Sequence, residues 1–200
     1  MKVKYRKAII VFIVSICLSS CFPCITLLFE KDETYWTDVY NKNDKIVFAS
    51  NYDNGLTKHY DTITILNKTR NIPDGNCNEA TRYDSESYLI DYSFKHDTII
   101  SESDYLVQHA KQEKGASIPV LRVYGLEYSK DFLKDTTIVL NTTKMEIKDC
   151  YSFHKKDCYN GWSLFKIKTF VWSKKLGLVM FIGENGEKFE YLKKITKGNQ

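Results

Sequence analysis

The chain has 200 residues, 43% of them hydrophobic, 27% charged and 14% aromatic, with nine Gly and three Pro, a balance that fits one compact domain and excludes collagen-like, coiled-coil and disordered chains. The formal charge is +4, and four of the 29 Lys and Arg are Lys2, Lys4, Arg6 and Lys7, which leaves 25 against 25 Asp and Glu. A neutral body has neither the electrostatic footprint of a nucleic-acid binder nor a polybasic membrane patch.

In chain order, the cationic start is followed by an apolar run from Ala8 to Leu18, then Ser19, Ser20 and Cys21. That is the order of a secretory signal. Leu18-Ser19-Ser20-Cys21 resembles the lipobox of bacterial lipoproteins. The resemblance implies cleavage before Cys21, a diacylglycerol thioether on its sulfur and acylation of its freed amine, an anchor stronger than any single acyl chain. Phe22, where lipoproteins kept at the inner membrane carry Asp, implies the outer membrane of a Gram-negative envelope. The competing reading is an uncleaved transmembrane helix over 8–29, long enough to span but interrupted by Ser19, Ser20 and Pro23. Both readings export the remainder of the chain. The expected organisation is a signal peptide over 1–20, a lipid-anchored tether over 21–40 and a single β-rich domain over 41–200.

With Cys17 in the signal and Cys21 as the lipid site, Cys24, Cys77, Cys150 and Cys158 remain, an even number in a compartment where disulfides persist. Three pairings exist; the local one joins Cys150 to Cys158, with Cys24 and Cys77 then tying the tether to the domain. The alternative, a metal held by Cys150, His154 and Cys158, needs a helix. The alternation of Met145, Ile147, Tyr151 and Phe153 reads as a strand instead. No metal or cofactor is expected.

Asn54-Gly55, Asp74-Gly75, Asn160-Gly161 and Asn185-Gly186 mark tight turns. Between them, strands are predicted over Lys45–Ser50, Lys58–Leu66, Ser87–Phe94, Thr98–Ser101, Val120–Tyr124, Thr136–Asn141, Lys144–Phe153, Leu164–Trp172, Leu178–Ile182 and Lys188–Leu192. Their number and spacing predict an antiparallel sandwich or barrel-like meander. One helix is predicted over Glu102–Lys114, with a strand through Tyr105-Leu106-Val107 competing for the same residues. The last three strands form a meander whose middle member is apolar throughout, as a strand buried on both faces should be. Phe170 to Val179, followed by Gly186-Glu187, resembles the closing hairpin of small β-rich lipoproteins of Bacteroides-type bacteria. That likeness implies a compartment and an architecture and carries over no catalytic residue.

Nucleophile elbows, metal-binding His motifs, phosphate loops and dinucleotide fingerprints are absent from the sequence. His59, His96, His109 and His154 lie far apart, and His59 reads as solvent-facing or as capping a sheet rim. Asp32 with Glu33 and Glu184 with Glu187 could serve glycoside cleavage, but they read as solvated loop residues. Tyr151, Phe153, Tyr159 and Trp162 concentrate aromatic surface that could bind a sugar, a peptide or a protein. Against this, Tyr151 and Phe153 could face the core while Tyr159 and Trp162 flank a hairpin. Asp-Thr triplets at Thr62, Thr98 and Thr136 are similar to O-glycosylation acceptors of the same bacteria and equally to ordinary strand starts. The function expected is a non-enzymatic binding or structural accessory of the envelope. Its partners would be the membrane, through the lipid, and a protein or envelope ligand, without nucleic acid. A carrier enclosing an apolar ligand in a curved sheet is the alternative, and a carboxylate-based hydrolase a third.

Overall fold

The structure is a computed structural model, and it describes residues 24–52, 57–77, 82–96, 99–100, 104–114, 117–129, 135–161, 163 and 165–196. In chain order the elements are β1 (Ile25–Leu27), α1 (Tyr35–Asp38), β2 (Lys45–Tyr52), β3 (Thr57–Asn71), β4 (Tyr83–Ser85), β5 (Ser87–His96), β6 (Ile99–Ile100) and β7 (Asp104–Ala110). There follow β8 (Val120–Val123), β9 (Leu126–Tyr128), β10 (Asp135–Val139), β11 (Glu146–His154), β12 (Tyr159–Asn160), β13 (Ile167–Ser173), β14 (Gly177–Gly183) and β15 (Lys188–Ile195). The protein is mainly β. Its principal sheet runs β10-β11-β13-β14-β15-β2-β3-β5-β7-β8-β9-β12, with β6 beside β5, and curls into a half-barrel. Every pairing in it is antiparallel; only the small β1–β4 pair is parallel.

Alternation along the strands puts large aromatic and aliphatic side chains on the concave face. Phe48 and Ile46 of β2, Ile63 and Ile65 of β3, Tyr92 and Phe94 of β5, Phe153 of β11 and Phe181 of β14 are all buried in one core. The interior is filled by stacked rings, as in Phe181 on Phe189 (4.8 Å, 12°) and Phe153 on Phe170 (4.6 Å, 26°). A smaller core, built from Leu140, Ile147, Cys150, Val171, Val179 and Met180, covers the other face. β14 is therefore enclosed on both sides, as its uniform apolarity predicts.

Two expected elements differ. Residues 104–110 form strand β7, not part of a helix over 102–114, because β5 and β8 both hydrogen-bond to them and Leu106 and Val107 are buried in the core. The one helix among the described residues is α1, inside the segment read as a tether. Trp36 and Tyr40 are buried in the main core, and Trp36 stacks on Tyr151 at 5.3 Å. Within the segment read as a tether, Trp36, Thr37 and Tyr40 are thus buried.

The Cys24–Cys77 disulfide fastens this segment. The Cys150–Cys158 bridge is not formed, and the reason lies at Asp149. That residue adopts a left-handed φ of 55°, which resets the strand's alternation. Cys150 thereby turns into the smaller core, whereas Cys158 packs against the main one. Both remain thiols, and burial pushes the Cys150 thiol up to about 11. Of the Asp-Thr triplets, that at 61–63 lies within β3 and not at its start, that at 135–137 opens β10, and Thr98 lies outside the described residues.

Glu86 is the second fastening of the N-terminal segment. Its buried carboxylate accepts the Phe29 N–H at 3.0 Å and the Arg70 Nε–H at 2.7 Å. Burial alone would raise its pKa, but the Phe29 and Arg70 hydrogen bonds outweigh that and hold the carboxyl below the usual range. A depressed folded-state pKa gives stability that is complete above the unfolded Glu value and is lost as pH falls through the folded one. Glu86→Gln is therefore expected to cost about 2 kcal/mol at neutral pH. In acid, where the wild-type carboxyl is itself protonated, the two proteins should unfold alike; urea titrations at both pH values check this.

Candidate functional site

At one edge of the curled sheet the chain doubles back on an earlier strand. After β11 the chain makes a 3-10 turn over Lys155–Asp157, and β12 then leaves its sequence neighbours to pair with β9, Tyr159 opposite Glu127 and Asn160 opposite Leu126. The Gly161 N–H extends this hook by donating to Gly125 O at 2.7 Å. Glycine is required there by proximity, since a Cβ would lie 2.6 Å from Arg122 Nη2 and 3.0 Å from Gly125 O. Beneath the hook the two ends of the curl meet, and the Tyr128 and Phe153 rings lie 4.5 Å apart.

At this rim lies a hollow of about 140 Å³ lined by residues from separate elements: the β8–β9 turn (Tyr124, Gly125, Leu126), the hook (Asn160, Gly161, Ser163), Lys155, Lys166, Ile167 and Glu184. Its lining is polar. Lys155 forms an ion pair with Glu184. That hydrogen bond, with the charges of Lys155 and Lys166, holds the Glu184 carboxyl below its ordinary value. The amide of Asn160 and the backbone of the turn add donors and acceptors, while Tyr124, Leu126 and Ile167 supply apolar surface.

Tyr124 is the unusual member. It adopts φ 48°, rare for an aromatic residue, to make the tight turn with Gly125. Its ring is clamped by Phe94 (4.2 Å, edge-on), Phe181 (4.8 Å) and Phe165 (5.2 Å), and its N–H donates to Tyr92 Oη at 2.9 Å. The phenol oxygen is buried without a hydrogen-bond partner; burial first, then the nearby Asp61 carboxylate, pushes its pKa well above the ordinary value. Local strain held in place by packing is characteristic of binding surfaces.

At the same rim Ser50, His59 and Glu187 come together. The buried Ser50 hydroxyl donates to Glu187 Oε1, and His59 Nδ1 is 3.7 Å from that same oxygen. Glu187 is buried, which corrects its reading as a solvated loop residue, whereas Glu184 is exposed as expected. The meeting of Ser50 and Glu187 has no local signal, because 137 positions separate them. His59 faces this cluster half-covered, at 30% side-chain exposure.

The aromatic patch expected from sequence is not assembled as one surface. Tyr151 and Phe153 are core residues, Tyr159 stands at the hook with 69% exposure, and Trp162 lies outside the described residues. His109 is buried against Phe29 (4.4 Å), its Nε2 2.6 Å from Ser117 O, and burial lowers its pKa. His154 is exposed and bonds Thr169 Oγ1 through Nδ1. Among the described residues no three His, Cys, Asp or Glu side chains converge as a metal site, and no helix is long and apolar enough to cross a membrane. No protein-family model, no curated protein and no solved structure matches this chain.

Proposed function

We propose that the protein is a lipid-anchored recognition module of the cell envelope, held by Cys21 and binding a polar ligand, a glycan or a peptide segment of a partner, in the rim hollow. The observation that carries this reading is an open, polar, charge-bearing hollow at the closure of a half-barrel whose interior is filled with side chains. A filled core weighs against carriage of an apolar ligand within the sheet. Tyr159 beside the hollow offers a rigid contact group with a polar tip. The anchor is supported by the lipobox residues and by the Cys24–Cys77 disulfide, a bond suited to an oxidising, exported setting.

The test uses a photoreactive residue in place of Tyr159 in the native envelope. A defined adduct is expected, and it should be lost when Lys155→Ala and Lys166→Ala are combined. Both lysines lie at the surface, so the fold should be retained. An adduct indifferent to the two lysines, or none, would count against the hollow as the site. A small apolar mass retained through purification and released by organic extraction would favour the carrier.

A further inference from the structure

Two features at the opposite end of β3 fix how such a body would sit. The first is the tether length. The disulfide pins Cys24 to Cys77, and β1 then runs beside β4 from Ile25, opposite Tyr83, to Leu27, opposite Ser85. Only Phe22 and Pro23 separate this fixed point from Cys21. Three residue steps, even fully extended, reach about 10 Å. A body so tethered keeps its Cys24–Cys77 end within about 10 Å of the lipidated residue.

The second feature is what that end exposes. Ile25, Leu28 and Ile72 are 44%, 54% and 65% exposed. Leu28 follows β1 directly, between the Leu27 carbonyl that accepts the Glu86 N–H and the Phe29 N–H that bonds the Glu86 carboxylate. Ile72 follows Asn71, which pairs with Ser87, and opens the loop that ends at Cys77. Three exposed aliphatic residues thus lie in the segments that Glu86 and the disulfide join. Charges of both signs surround them, with Lys31 and Arg82 against Glu30, Asp32 and Asp74, so the surface favours apolar contact over attraction to anionic lipid.

We propose that this end of the body lies against the bilayer that holds the Cys21 lipid, with Ile25, Leu28 and Ile72 in contact with lipid and the rim hollow turned away from it. The proposal rests on the anchor of the preceding section. His59 and Asn71 lie at opposite ends of β3, up to about 40 Å apart at ~3.3 Å per residue. The strand therefore stands the hollow off from the membrane.

The experiment places benzoylphenylalanine in place of Leu28, Ile72, Tyr60 or Tyr159 in the mature lipidated chain. Each protein is reconstituted in phosphatidylethanolamine–phosphatidylglycerol vesicles and irradiated. Phospholipid adducts are expected at positions 28 and 72 and not at 60 or 159, and they should persist in high salt. No lipid adduct at 28 and 72, in a chain whose mass shows the lipid on Cys21, overturns the apposition and leaves the anchor standing. Adducts at those positions to a second copy of the chain, or lipid adducts at all four positions, also overturn it. A chain without the lipid mass that stays out of the vesicles overturns the anchor, and the apposition with it.

Discussion

Gly177→Ala should be among the most damaging single-methyl additions to this protein, lowering stability by about 4 kcal/mol. Gly177 opens β14 at φ 77°, and a Cβ there would lie 2.1 Å from Tyr40 Oη and 2.4 Å from its Cζ. The left-handed backbone alone costs a substituted residue roughly 1–2 kcal/mol. Displacing a buried ring adds an overpacking cost of about 1–3 kcal/mol. The Leu178 N–H, which donates to Tyr40 Oη at 2.7 Å, would lose its acceptor, at about 1 kcal/mol. In a chain of this length the total corresponds to a fall in Tm of roughly 10 °C. Gly186→Ala is the control. Gly186 has φ 91° with nothing within 4 Å of the added methyl, so it should show the backbone cost alone. Equal melting temperatures for the two variants would mean that Tyr40 yields freely and that α1 is not firmly seated.

Trp36→Ala is expected to cost about 3–5 kcal/mol, the range for deleting a large buried aromatic. Trp36 stacks on Tyr151 and lies 6.3 Å from Trp172, so its removal opens the contact between the N-terminal segment and the β11–β13 pair. Leu28→Ala, at a side chain 54% exposed, should fall within about 0.5 kcal/mol of wild type. Thermal denaturation of both variants separates the two descriptions of residues 24–40. A tether would make them equivalent, while a packed segment makes only the tryptophan costly.

The architecture could be read from the sequence wherever hydrophobic period and turn chemistry agreed. The β13-β14-β15 meander follows from the apolar run at 178–182 and from Asn185-Gly186, where the Gly186 N–H bonds Gly183 O and φ is 91°. Elsewhere a local signal lost to a distant partner. Residues 104–110 carry helix-compatible composition between capping residues, but β5 and β8 claim their backbone hydrogen bonds. At Asp149 one left-handed residue reverses which face Cys150 occupies, and nothing in the neighbouring residues announces it. Tyr35, Trp36 and Tyr40 did offer a sign, since so much aromatic surface suits a core better than a tether. The rim site left the least trace. Asn160-Gly161 reads as a hairpin turn, whereas Asn160 is the end of a strand whose partner, β9, lies more than thirty positions earlier. Glu187 reads as loop until Ser50 is seen beside it.

The junction of β15 with β2 bears on when this molecule can assemble. The first long strand, residues 45–52, has β3 on one side, and on the other it waits for residues 188–195, the last strand among the described residues. Pairings between segments so far apart in sequence form late, because the intervening chain must be ordered before they are rewarded. A chain emerging N-terminus first can join Cys24 to Cys77 early, while the seam between β2 and β15 stays open until residues 188–195 have been made. The strand order thus defers the rigid form of the sheet until residues 188–195 are available to fill the place beside β2.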